Sequence, residues 1–193
     1  AYSLQKGRMR HEFRNFIIAE NGKGISFVSK INELSNMKKR KKREVIFMFP
    51  GTGSDYENMA VDLYENNNLF KKYYDKCNNI VKKELGNYAD ILNGDSKKLH
   101  TVKIFSVSYS MAETLIEMGI KPDKVMGHSL GEYAAAAVAE SIKLEDALKL
   151  IIKRTELIET IPAGNMISVA ENIDKVKEMI FDGISIAGVN TPE

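Results

Sequence analysis

The chain has 193 residues, 44% of them apolar, which is enough to bury a core as one domain or one and a fraction. Its 28 basic and 26 acidic residues leave a formal net charge of +2, so no overall field calls for nucleic acid or an acidic membrane. No stretch approaches the ~20 apolar residues of a membrane span, no signal-peptide pattern opens the chain, and the lone Cys77 excludes an internal disulfide framework, so a cytoplasmic protein is expected.

Residues 13–19 (FRNFIIA) read as a short strand, and Ile25, Val28, Ile31 and Leu34 recur with helical spacing. The basic run 38–43 (KKRKKR) then precedes 45–49 (VIFMF), an unbroken apolar stretch whose composition suits a strand buried on both faces of a parallel sheet. The Pro50-Gly51-Thr52-Gly53-Ser54 turn breaks that strand, and residues 56–64 and 69–85 carry helical spacing with charged outer faces. Residues 102–118 continue as a helix that Gly119 ends, 124–127 form a short strand, 130–139 an Ala-rich helix and 144–158 another. Beyond Pro162-Ala163-Gly164 the pattern changes to strand (166–170), helix (173–180) and strand (184–189). Alternating strands and helices predict a parallel α/β sheet, followed by the beginning of a smaller unit. The chain opens without Met and closes directly after an apolar run, which suggests a piece of a longer polypeptide.

Gly127-His128-Ser129-Leu130-Gly131 lies between a predicted strand and a predicted helix, the context that a G-x-S-x-G nucleophile elbow requires. A sharp strand-to-helix turn crowds the backbone on both sides of the serine, so the flanking positions must be glycine. Ser129 stands at the helix start, where free N–H groups, that of Leu130 above all, can donate to a developing oxyanion. The competing reading is a plain serine N-cap with turn glycines. His128 is adjacent to the serine, but neighbours on a tight elbow point apart, which argues against it as the general base; His11 and His100 read as surface histidines.

The longer stretch Gly127-His128-Ser129-Leu130-Gly131-Glu132-Tyr133-Ala134-Ala135 resembles the active-site signature of malonyl-transferase-type acyltransferases, the loading domains of fatty-acid and polyketide synthases. The likeness extends through Phe49-Pro50-Gly51-Thr52-Gly53-Ser54, Leu63-Tyr64-Glu65, Leu144-Glu145-Asp146-Ala147-Leu148, Arg154 and Pro162-Ala163-Gly164-Asn165-Met166, and Tyr2-Ser3-Leu4-Gln5 with Gly7, Arg8 and Arg14 looks like the linker before such a domain. The resemblance implies the end of a ketosynthase-to-acyltransferase linker at 1–44, the first part of a hydrolase-like parallel-sheet subdomain at 45–163, and the start of a ferredoxin-like α+β subdomain at 164–193.

It also implies a ping-pong reaction in which Ser129 takes an acyl group from acyl-CoA and passes it to the phosphopantetheine thiol of an acyl carrier protein, beside a neighbouring ketosynthase domain. The implied oxyanion donors are the backbone amides of Leu130 and Thr52, and the implied substrate-binding residues are Arg154 and His128, with the Arg154 guanidinium forking onto a malonyl-type carboxylate. Judged without the family, Arg154 is an ordinary helix-surface arginine. Three departures stand out: Thr52 replaces one glutamine of the pattern, Thr101 replaces another, and the family's catalytic histidine and substrate-selecting motifs fall beyond residue 193.

The Gly51 and Gly53 turn lacks both the third glycine of a dinucleotide fingerprint and the Gly-Lys of a P-loop, which argues against nucleotide binding. The basic run 38–43 has no interleaved aromatic residue and reads as a solvated linker rather than a nucleic-acid site. Scattered histidines and a single cysteine predict no metal, and no tightly bound cofactor is expected. A serine thioesterase or hydrolase, and a non-catalytic remnant that docks a carrier protein, remain as alternative readings.

Overall fold

Ile46–Phe49 (β1) and Lys124–Gly127 (β2) pair in parallel, with Ile46 opposite Lys124 and Phe49 opposite Gly127. The computed structural model describes residues 43–86, 91–92, 97–162 and 164–191. The strand expected at 13–19, the helix at 25–34 and nearly all of the basic run lie outside the described residues. A carboxylate brackets the entry to the sheet: Asp123 Oδ2 accepts from the Val45 N–H at 2.9 Å while the Asp123 N–H donates to the Val45 carbonyl at 2.8 Å.

Between the strands run α1 (Val61–Asn66), α2 (Asn68–Leu85) and α3 (Lys97–Glu117), and after β2 come α4 (Gly131–Val138), α5 (Leu144–Thr160) and α6 (Ile173–Met179). The helix expected from residue 56 begins only at Val61, because Asn58 and Ala60 have φ of 57° and 68°, and a left-handed residue cannot continue a right-handed helix. Asn67 caps α2, its side-chain oxygen accepting from the N–H groups of Leu69 and Phe70. The described part of α3 starts five residues before the expected 102, and it packs against α2, α4 and α5 as the central helix of the fold.

The core runs from Phe49 through Phe70, Tyr74, Cys77 and Val81 on α2 and Val102, Ile104 and Phe105 on α3 to Leu130, Ala134, Leu148 and Ile151. Phe47 and Val125 turn toward this core, whereas Ile46 and Met48 on β1 and Met126 on β2 are exposed. The expected double burial of the first strand is therefore corrected: the described helices cover one face of the sheet only, the face that period-two alternation assigns to Phe47 and Phe49.

Residues 166–170 and 184–189, expected as strands, form no ladder among the described residues. A strand needs a partner for its N–H and C=O groups, and neither run has one here. The helix between them does form as α6, capped by Asn172, whose side-chain oxygen accepts from the Asp174 N–H at 2.9 Å. Among the described residues no helix is long and apolar enough to cross a membrane.

Candidate active site

At the C-terminal ends of the two strands the chain makes two adjacent turns, the place where open α/β sheets present their ligands. The His128 N–H donates to the Phe49 carbonyl at 3.0 Å, which carries the ladder one residue past β2. The backbone then reverses. Ser129 takes φ of 53°, in the left-handed region that a residue with a Cβ rarely enters, and the Gly131 N–H closes the turn onto the His128 carbonyl at 2.9 Å. A strained non-glycine residue between strand and helix is the backbone geometry of a G-x-S-x-G elbow, and it differs from the extended geometry of an N-cap residue.

Both flanking glycines are demanded by close approach. A Cβ on Gly127 would collide with the Gly131 carbonyl, and a Cβ on Gly131 would collide with the Phe49 carbonyl and stand 2.7 Å from that of Pro50. The Ser129 side chain is exposed, whereas Leu130 is buried to 1% and anchors the start of α4 in the core.

The loop after β1 lies against this elbow. A Cβ on Gly51 would stand 3.0 Å from His128 Nδ1 and 3.3 Å from Ser129 Cβ, so Gly51, His128 and Ser129 are brought together. Ser54 Oγ donates to the Gly51 carbonyl at 2.9 Å and braces the loop. Neither the Leu130 N–H nor the Thr52 N–H has a hydrogen-bond partner among the described residues. The Leu130 amide follows the exposed serine directly, and the Thr52 amide belongs to the loop whose Gly51 packs on it.

Arg154 lies on α5, half-buried, beside Thr155 and one turn past Ile151 of the helix's core face. The nearby Glu156 is taken by Lys98 at 3.2 Å and Lys153 at 3.4 Å, and the Arg154 guanidinium has no carboxylate partner among the described residues. Arg154 makes no hydrogen bond to the elbow or to the loop among the described residues. Thr101 is buried on α3. No group of three potential metal ligands occurs among the described residues.

Sequence reasoning missed one pair. His100, read as a surface histidine, holds Asp55 Oδ2 through Nδ1 at 2.9 Å, and Asp55 is the residue directly after the loop serine, Ser54. The hydrogen bond to His100, offset in part by burial, holds the Asp55 carboxyl below its ordinary value. The two residues are 45 positions apart, and no local motif joins them.

The family model of the acyl transferase domain matches residues 46–193. The chain is 30% identical over 155 residues to a phenolphthiocerol/phthiocerol polyketide synthase of Mycobacterium tuberculosis, covering 77% of this chain and 10% of that one. With the erythronolide synthase EryA2 of Saccharopolyspora erythraea the identity is 27% over 213 residues, covering 100% of this chain and 6% of that one. Among solved structures, the acyl transferase domain of ZmaA superposes with a TM-score of 0.67 at 31% identity, over 79% of this chain and 40% of that one. The malonyl-CoA:ACP transacylase of Synechocystis sp. PCC 6803 gives 0.51 at 27% identity, over 60% and 40%. The chain thus spans a tenth or less of these synthases and two fifths of these solved domains. The family match covers the elbow, the loop after β1 and the helices between them, and on these comparisons the chain belongs to the acyl transferase domain family, with a mixed α/β fold like that of polyketide-synthase acyl transferases.

Proposed function

We propose that this chain contributes the nucleophile and oxyanion loop of an acyltransferase that moves a malonyl-type acyl group from CoA to the phosphopantetheine thiol of an acyl carrier protein in polyketide biosynthesis. The observation that carries the reading is Ser129 itself, exposed at φ 53° between two glycines that the packing requires, with the partnerless amide of Leu130 next to it and that of Thr52 in the loop whose Gly51 packs on it.

In the first half-reaction Ser129 Oγ attacks the thioester carbonyl and its proton passes to a base. The carbonyl oxygen gathers charge against the Leu130 and Thr52 N–H groups. The C–S bond then breaks, and CoA leaves as the thiol once it has taken up a proton. In the second half the carrier thiol attacks the seryl ester, loses its proton, and Ser129 Oγ is regenerated. The base falls beyond residue 193 by resemblance. Arg154, unengaged on α5, would pair with the free carboxylate of the acyl group, and His128, packed against Gly51, would line the acyl site.

The same reading gives residues 1–44 as the end of a ketosynthase-to-acyltransferase linker, 45–163 as the first part of the larger subdomain and 164–193 as the start of the smaller one, with a ketosynthase domain as neighbour. The relatives support it, since several are named as polyketide synthases and one solved neighbour as a transacylase acting on ACP. The test is transfer: the full natural chain, given malonyl-CoA and a phosphopantetheinylated carrier protein, should yield malonyl-carrier thioester, and Ser129→Ala should yield none. Free malonate without carrier loading would instead identify a hydrolase.

A further inference from the structure

We infer that Asp55 and His100 are a positioning couple that holds the loop of residues 51–54, and with it the Thr52 amide, against the Ser129 elbow; the inference rests on the acyl-transfer reading above. Among the described residues no backbone–backbone hydrogen bond fixes residues 51–55. Three contacts do. Gly51 packs on His128 and Ser129 at the upstream end, Ser54 Oγ bonds the Gly51 carbonyl within the loop, and Asp55 bonds His100 at the downstream end. The last ties the loop to α3, since His100 belongs to that helix, which packs against α2, α4 and α5.

The chemistry of the pair is directional. An ionised carboxylate can only accept, so His100 Nδ1 carries the proton and donates it to Asp55 Oδ2 across 2.9 Å. Lys103, one turn along α3, adds positive charge on the Asp55 side and supports its ionised form. The side chains are 42% and 26% exposed, so the bond adds little to global stability. Its consequence is local. An oxyanion amide works only when it is preorganised, and a displacement of about 1 Å in a catalytic group costs about 100-fold in rate.

The test compares His100→Ala, Asp55→Ala and His100→Asn with the unsubstituted full chain, reading the NMR order parameters of the backbone N–H groups at residues 51–55 and the single-turnover acylation of Ser129. Asn places its side-chain N–H near the position of Nδ1 and should restore the bond. Both alanine variants should lower the loop order parameters from about 0.85 toward about 0.6 and lower the acylation rate constant about 10- to 100-fold at unchanged KM, and His100→Asn should recover both. Unchanged order parameters, or lowered ones with an unchanged acylation rate, would overturn the inference. If the unsubstituted chain does not acylate, the acyl-transfer reading fails on its own, and the order parameters of the alanine variants then decide the tether: a loosened loop supports it, an unchanged loop overturns it.

Discussion

Gly131 sits directly beneath the Phe49 carbonyl, so the first turn of the helix after the serine is pressed against the end of the first strand with no room for a methyl group. Gly131→Ala must therefore push α4 away from β1 or unseat Leu130 from the core. Overpacking against a side chain costs about 1–3 kcal/mol, and here the obstacle is backbone, so a loss of about 3 kcal/mol is expected in denaturant unfolding. Gly53→Ala is the contrast: no atom lies within 4 Å of the added Cβ, but a φ of 89° makes it a purely conformational penalty of about 1 kcal/mol.

Ser129 pays for its exposure with a left-handed φ, and two substitutions separate that strain from the chemistry. Ser129→Ala and Ser129→Gly both remove Oγ. The glycine variant should be about 1 kcal/mol more stable than the alanine variant, since only glycine enters this region freely. Equal thermal or denaturant midpoints for the two would mean that the turn is not strained in solution.

Arg154 has no ion pair to lose among the described residues, so Arg154→Ala should change stability by less than about 0.5 kcal/mol. Its effect should appear on substrates instead. Loss of a charge-assisted pair with a carboxylate is expected to lower kcat/KM for malonyl-CoA about 10- to 100-fold and leave acetyl-CoA nearly unaffected, and Arg154→Lys should rescue only in part because an ammonium cannot form the bidentate fork.

Between α2 and α3, Glu117 accepts from Lys72 Nζ at 2.7 Å and from Tyr73 Oη at 2.5 Å, and these bonds hold its carboxyl below the ordinary 4.5. A folded value depressed below the unfolded one gives stability that is present above the unfolded pKa and lost as pH falls through the folded one. Glu117→Gln should therefore unfold more easily than the unsubstituted chain at neutral pH, with the gap closing as pH falls below 4.5. A gap of constant size from neutral to acid pH would show that the charge is not the source.

The turn at Ser129 was legible because its cause is local: a serine between two glycines, placed between an apolar strand and an Ala-rich helix, specifies a sharp strand-to-helix reversal. The paired strands and the helices of the core followed from period and composition for the same reason. What was not legible depends on distant partners. Asp55 and His100 are 45 positions apart and carry no motif. The exposed face of β1, which Ile46 and Met48 occupy, has the same apolar composition as a doubly covered strand. The runs 166–170 and 184–189 alternate as strands do, yet pairing is a property of a neighbour that local sequence does not contain.

The most direct measurement is the intact mass of the full natural chain after brief exposure to malonyl-CoA. Cys77 does not confuse the result, because it is fully buried and that burial pushes its thiol up to about 12, so it should also resist alkylation until the protein unfolds. A single malonyl adduct on Ser129, absent in Ser129→Ala and discharged by a carrier thiol, is the predicted result. No adduct on Ser129 from malonyl-CoA or any other carboxylated acyl-CoA, in a chain shown to be folded, would contradict the account.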